Sequence, residues 1–134
     1  MLSDDIAALT ARYAGALEWA RRFIEMGEYI KSIQDSYYSA FYAAKAALIH
    51  LGIRSKSHQS VQGRIDELVD SGVLRPDTRG VLGVLLGRRN ESAYRFSRGN
   101  WTEQEASEAL DLAERFVSEM ERLLASPSPR KSRD

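Results

Sequence analysis

From Ala106 to Leu124 the apolar residues Ala106, Ala109, Leu110, Ala113, Phe116, Val117, Met120, Leu123 and Leu124 return at steps of three and four. That period is one face of an α-helix, and it requires a second apolar surface to cover it. Thr102 with Glu105 three positions on has the spacing of a capping box and marks where the helix begins. Four more segments carry the same period, so the sequence predicts an all-α fold, an up-and-down bundle of four or five amphipathic helices.

The first of these runs from about Asp4 to Met26, with Ser3 as N-cap, Asp4 and Asp5 in the first turn and Gly27 as the stop. Its stripe is Ile6, Leu9, Tyr13, Leu17, Ala20, Phe23 and Ile24. The second runs from about Glu28 to Leu51 and stops at Gly52, with Ile30, Ile33, Tyr37, Ala40, Phe41, Ala44, Leu48 and Leu51 on its buried side. Ala40, Ala43, Ala44, Ala46 and Ala47 let neighbours approach closely, as a central helix needs. A third runs from about His58 to Ser71, and Gly72 ends it. A turn at Leu74-Arg75-Pro76-Asp77 follows, because the residue before proline is pushed out of helical geometry. The fourth runs from about Asp77 to Tyr94 or Phe96, and Arg98-Gly99-Asn100 forms the loop before the last helix. The tail from Ser126 to Asp134 has no apolar residue and two prolines, so residues 1–125 are expected as one domain and 126–134 as disordered.

At 134 residues a chain buries enough surface to fold without staples, and it has no cysteine. Disulfides, thiolate nucleophiles and Cys-based zinc sites are therefore excluded, and His50 and His58 alone make a poor metal site. Neither a metal nor another cofactor is expected. The opening MLSDDIAALTARY lacks a basic segment followed by an apolar run, and no stretch reaches the roughly 20 apolar residues of a membrane span. The expected location is the cytoplasm, with no membrane partner.

Formal net charge is zero, but it is unevenly spread. Residues 75–98 hold Arg75, Arg79, Arg88, Arg89, Arg95 and Arg98 against Asp77 and Glu91, a balance of +4. Residues 102–124 hold seven acids against Arg115 and Arg122, a balance of −5. Either two neighbouring helices complement each other, or a basic face is kept for phosphate.

Four constellations bear on chemistry. Asp35, Tyr38, Tyr42 and Lys45 fall at steps of three, four and three and share one edge of the second helix, with Tyr37 on the core side. They read either as ordinary bundle tyrosines with hydroxyls at the rim or as a ligand-facing edge. Arg88-Arg89-Asn90 ends the fourth helix with a guanidinium fork and an amide, both able to hold phosphate. Tyr94, five residues beyond Arg89, converges with it only if the helix end loosens or two chains pair. His58 opens the third helix, as a local cap, a packing residue or an acid–base group. Gly80, Gly83 and Gly87 lack the spacing and flanks of a phosphate loop, and instead predict a smooth face for helix packing, at about 1 kcal/mol of helix stability each.

Three segments together resemble the HEPN domain, a small helical family of bacteria and archaea often encoded beside minimal nucleotidyltransferases. They are GEYIKSIQDSYYSAFYAAKAAL from Gly27 to Leu48, which is similar to a YYAxFxAAKAxL helix; Ser57-His58-Gln59-Ser60-Val61; and Arg89-Asn90-Glu91-Ser92-Ala93-Tyr94 ahead of a final helix with Thr102, Glu105, Ala106, Ala113, Phe116 and Val117. The resemblance covers roughly residues 12–124 in order, and its specificity lies in the combination.

The resemblance implies a helical bundle that pairs as a homodimer. In ribonuclease members an Arg-x4–6-His motif on the penultimate helix meets its mate across a cleft and cleaves RNA without metal. Carried over, the arginine is Arg89, its polar neighbour is Asn90, and the histidine position is Tyr94. A phenol titrating near 10 is a poorer proton-transfer group at neutral pH than an imidazole near 6.5. His58 replaces that histidine only if it reaches the same cleft. In the branch most similar to this chain a tyrosine is usual there, and an arginine is common where this chain has Asp35. The resemblance thus implies a nucleotide- or RNA-binding edge of Arg88, Arg89, Asn90, Tyr38, Tyr42 and Lys45. It further implies a minimal nucleotidyltransferase partner in a toxin–antitoxin or defence-type pair, to which Tyr94 would offer a modification site. The alternatives are a metal-independent ribonuclease and a structural dimeric bundle without ligand.

Overall fold

The computed structural model describes residues 2–94 and 101–128. In chain order it contains α1 (Leu2–Glu25), α2 (Tyr29–His50), α3 (His58–Asp70), a short 3-10 turn (Pro76–Thr78), α4 (Val81–Tyr94) and α5 (Glu103–Leu124). No strand occurs among the described residues, and the chain is an all-α bundle.

Small side chains decide which helix takes the centre. Ala43, Ala44, Ala46 and Ala47 point in several directions around α2, yet all four are fully buried. A helix buried on so many sides must be enclosed, and α2 packs against α1, α4 and α5. Tyr37, Ile33 and Leu48 fill the core with Phe116 and Met120 of α5, Leu85 of α4 and Ile65 of α3. Ser32, Ser36 and Ser39 interrupt this surface, and the Ser36 hydroxyl has no hydrogen-bond partner among the described residues. Buried Ser32 donates to the Ala20 carbonyl of α1 at 2.7 Å, and buried Ser39 to the Ser36 carbonyl at 2.8 Å, which spares their hydroxyls an unsatisfied burial. Trp101, absent from the predicted core, is also buried, just ahead of the Thr102 capping box.

Gly52 closes α2 in a left-handed conformation (φ +80°), and the Ile53 amide donates back to the Leu48 carbonyl at 2.8 Å. This turn starts the link that delivers His58. Ser57, not His58, caps α3: its hydroxyl accepts from the Ser60 amide at 3.0 Å. At the start of the chain α1 already includes Leu2, so Ser3 lies in its first turn rather than at the cap.

The fourth helix departs most from expectation. It begins at Val81 rather than Asp77, because Gly80 adopts φ +78° and its amide turns aside to the Asp66 carboxylate at 3.1 Å. The glycine row is therefore not one packing face. Gly80 is a turn, Gly83 lies against Gln62 of α3 so closely that a Cβ would stand 2.8 Å from Nε2, and Gly87 faces open space.

Residues 126–128, at the head of the predicted tail, lie on the end of α2. His50 Nε2 donates to the Ser126 carbonyl at 2.8 Å, and the Ser128 hydroxyl donates to the His50 carbonyl at 2.8 Å. Such a bond serves a helix-terminal carbonyl that has no partner within its own helix. Residues 129–134 lie outside the described residues.

Candidate functional site

The polar edge of α2 becomes a site through what α4 and α3 place on it. Tyr38 and Tyr42, one turn apart, stack with ring centres 6.1 Å apart and planes 24° from parallel. Arg89 of α4 lies over the Tyr38 ring at 5.5 Å and donates through Nη2 to the Tyr38 hydroxyl at 2.8 Å. Its other terminal nitrogen donates to Asn90 Oδ1 at 3.0 Å. The guanidinium is held in position by neutral groups and keeps its full charge. Lys45, one turn beyond Tyr42, lies over the Phe41 ring at 5.6 Å.

His58 reaches the same cluster from α3. Its ring stacks on Phe41 at 4.3 Å and on Tyr37 at 5.6 Å, and its Nδ1 bonds the Tyr37 hydroxyl. Tyr37 in turn meets Tyr38 edge-on at 5.4 Å. Burial, and next the neighbouring Tyr38, push the Tyr37 phenol up to about 12, against the lowering influence of Arg89. At neutral pH it keeps its proton, so it is able to donate to His58 Nδ1, and in that arrangement the imidazole proton lies on Nε2.

These contacts bring together Arg89, Asn90, Tyr38, Tyr42, Lys45 and His58. They do not include Arg88, which points off at about 100° from Arg89 around the helix. Tyr94 ends α4 five residues past Arg89, and its side chain lies outside the described residues, as do Arg95 and Arg98. Asp35, one turn before Tyr38, is half-buried, and that burial raises its carboxyl above the usual range. Three participants are not legible as site residues in the sequence. Tyr37 and Phe41 read as core, although their four-residue spacing beside Tyr38 is the signal that two aromatic faces meet there. Arg12 of α1 lies over the Tyr42 ring at 5.5 Å, and no pattern in the sequence announces it.

The basic stretch divides. Arg75 belongs to the complementing kind: buried Glu119 accepts from Arg122 at 2.6 and 2.8 Å and from the Arg75 amide at 2.9 Å, with the Arg75 side chain 3.6 Å away. The Arg122 hydrogen bonds, followed by the Arg75 amide and the two cations, hold the Glu119 carboxyl below the usual range against the opposing effect of burial. A cavity of about 420 Å³ opens there, lined by Arg75, Arg115 and Arg122 among others. Arg122 is tied to Glu119 and Arg115 to Asp111, so this hollow is close to neutral. Arg89, on the aromatic edge, makes no ion pair among the described residues.

Among the described residues, no group of three His, Cys, Asp or Glu is placed to hold a metal ion. No described helix is long and apolar enough to cross a membrane. No curated protein matches the chain. The family model of the HEPN domain matches residues 12–123, which spans α2, α3, α4 and nearly all of α5, and the chain belongs to the HEPN domain family.

Proposed function

We propose that this HEPN protein binds a nucleotide or RNA on the edge of α2, with Arg89 as its phosphate clamp. The observation that carries this reading is the seating of Arg89 on Tyr38: a guanidinium fixed by a ring, a hydroxyl and an amide, with no carboxylate paired to it among the described residues. Asn90 supplies amide donors beside it, His58 adds an Nε2 donor, and Tyr42 and Lys45 extend the edge. HEPN domains commonly dimerise, and we place this site at a homodimer cleft served by a minimal nucleotidyltransferase partner of a toxin–antitoxin or defence-type pair. Fluorescence anisotropy with labelled RNA and with a labelled nucleotide tests the site. Saturable binding that is lost in Arg89→Ala is expected, and its absence returns the protein to a structural dimeric bundle. Co-purification with the product of the neighbouring gene tests the partner, and that part fails if no nucleotidyltransferase is bound.

One observation favours a second reading, a metal-independent ribonuclease: His58 is linked to the Arg89 cluster through Tyr37 and Tyr38. As an imidazolium, His58 is an acid able to give a proton to a leaving oxygen. The purified protein incubated with RNA in EDTA, beside Arg89→Ala and His58→Ala, decides it. Cleavage that survives both substitutions comes from elsewhere.

A further inference from the structure

We propose that Arg12 extends the site into a track for a single nucleic-acid strand, running across α4, α2 and α1; this rests on the reading of Arg89 as a phosphate clamp. Arg54 and Arg88 also make no ion pair among the described residues but lie over no described ring, and five further arginines show what sets Arg12 apart. Arg21 pairs with Glu114, Arg22 with Glu18, Arg64 with Glu67, Arg79 with Asp70, and Arg115 with Asp111. Each of these charges is answered by a carboxylate. Arg12 and Arg89 sit instead at opposite ends of one stacked tyrosine pair, Arg12 over Tyr42 and Arg89 over Tyr38. Neither makes an ion pair among the described residues, and Lys45, on the Phe41 ring between α2 and the edge, makes none either.

An aromatic face orients a guanidinium without cancelling its charge, and leaves most of its donors and its outer plane available. With 5.5 Å from each guanidinium to its ring and 6.1 Å between the rings, the two cations stand at most about 17 Å apart. A mononucleotide carries its phosphates at one position and engages the Arg89 clamp, whereas a strand carries a phosphate at every residue. Successive phosphates of an extended strand reach both ends, with Lys45 one turn of α2 beyond Tyr42 at the Arg12 end. The flat outer faces of the guanidinium groups suit unstacked bases, which a duplex does not offer. Asp35 lies on α2 one turn before Tyr38 and bounds the track at its Arg89 end.

The test titrates the full-length protein into a labelled 12-nucleotide oligouridylate, its deoxy counterpart and labelled ATP, at several salt concentrations. Arg12 is exposed, so Arg12→Gln should leave the circular dichroism melting curve unchanged. It should weaken oligonucleotide binding about fivefold and reduce the slope of log K against log salt by about 0.7, the contribution of one phosphate contact on a single strand. ATP binding should fall by less than oligonucleotide binding, because Arg89 holds the ATP phosphates. Equal binding of the oligonucleotide by Arg12→Gln and the unaltered protein, while Arg89→Ala loses it, overturns the track and leaves the Arg89 site standing. A salt slope unaltered by Arg12→Gln overturns it as well. If the unaltered protein binds neither oligonucleotide nor ATP, the reading of Arg89 falls and the track with it. A preference for the ribo- over the deoxy-oligonucleotide assigns the strand to RNA, and equal binding assigns it to the shared phosphate backbone.

Discussion

Arg89 Nη2 donates to the Tyr38 hydroxyl at 2.8 Å while the guanidinium lies 5.5 Å over the ring of the same residue. One side chain thus holds the cation by its face and by its tip, and the two contributions can be separated. Tyr38→Phe keeps the ring and removes the hydroxyl, a loss of roughly 0.5–1.5 kcal/mol of positioning. RNA affinity should fall about three- to tenfold in anisotropy titrations. Arg89→Lys keeps the charge but replaces the planar fork by a point charge, and it should be weaker than Tyr38→Phe. If Arg89→Lys binds as well as the unaltered protein, charge alone suffices and the geometry at Tyr38 is incidental.

The Tyr37–His58 contact makes a spectroscopic prediction independent of any ligand. With Tyr37 donating, neutral His58 is held as the tautomer protonated on Nε2. Nitrogen-15 correlation spectra of the imidazole at neutral pH should show Nδ1 as the unprotonated nitrogen, and Tyr37→Phe should return the ring to a tautomer mixture. A spectrum with Nδ1 protonated would reverse the roles, with His58 donating to the Tyr37 hydroxyl and Nε2 left as the acceptor.

What the sequence made legible follows from the range of the interactions. Helix period, the Thr102 capping box and the alanine-rich centre of α2 depend on neighbours within a few residues, and the fold follows from them. The tyrosine edge was also local, since Tyr38 and Tyr42 lie one turn apart. The placement of Arg12 and Arg89 on those two rings depends on how α1 and α4 cross α2, which no local spacing encodes. His58 was ambiguous for the same reason, its partner Tyr37 being 21 positions away. Ser128 shows the same limit: composition reads a polar, proline-flanked residue as tail, and its bond to the His50 carbonyl depends on a partner 78 positions away.

The Glu119–Arg122 clasp sets an acid sensitivity. The Glu119 carboxyl titrates lower in the folded protein than in the unfolded chain, chiefly through the Arg122 hydrogen bonds. Its contribution to stability is therefore fully present above the unfolded value near 4.3, and it is lost as pH falls through the depressed folded value. Glu119→Gln should lower stability at pH 7 by about 1–3 kcal/mol, because a buried charge-assisted network loses its anion. Urea midpoints of the two proteins should converge as pH drops below about 4. A constant gap across that range would mean that the carboxylate charge contributes nothing and that only its shape is needed.

The glycines of the 80–87 segment separate by conformation, and alanine substitution should act on them in opposite directions. Gly80 holds φ +78°, where an L side chain is strained by about 1–2 kcal/mol, so Gly80→Ala should destabilise even though the space around it is open. Gly87 lies within α4, has a negative φ and meets nothing within 4 Å of an added Cβ. Gly87→Ala should therefore stabilise by roughly 0.5–1 kcal/mol through reduced freedom of the unfolded chain. Gly83→Ala places its Cβ 2.8 Å from Gln62 Nε2, the far end of a flexible side chain that can swing aside, so most of the helix-propensity gain should survive. Thermal melts of the three single variants give the order Gly87→Ala highest, Gly83→Ala next and Gly80→Ala below the unaltered protein. A destabilised Gly87→Ala would show that this open face of α4 is covered in solution, and analytical ultracentrifugation of that variant would then report whether a second copy covers it.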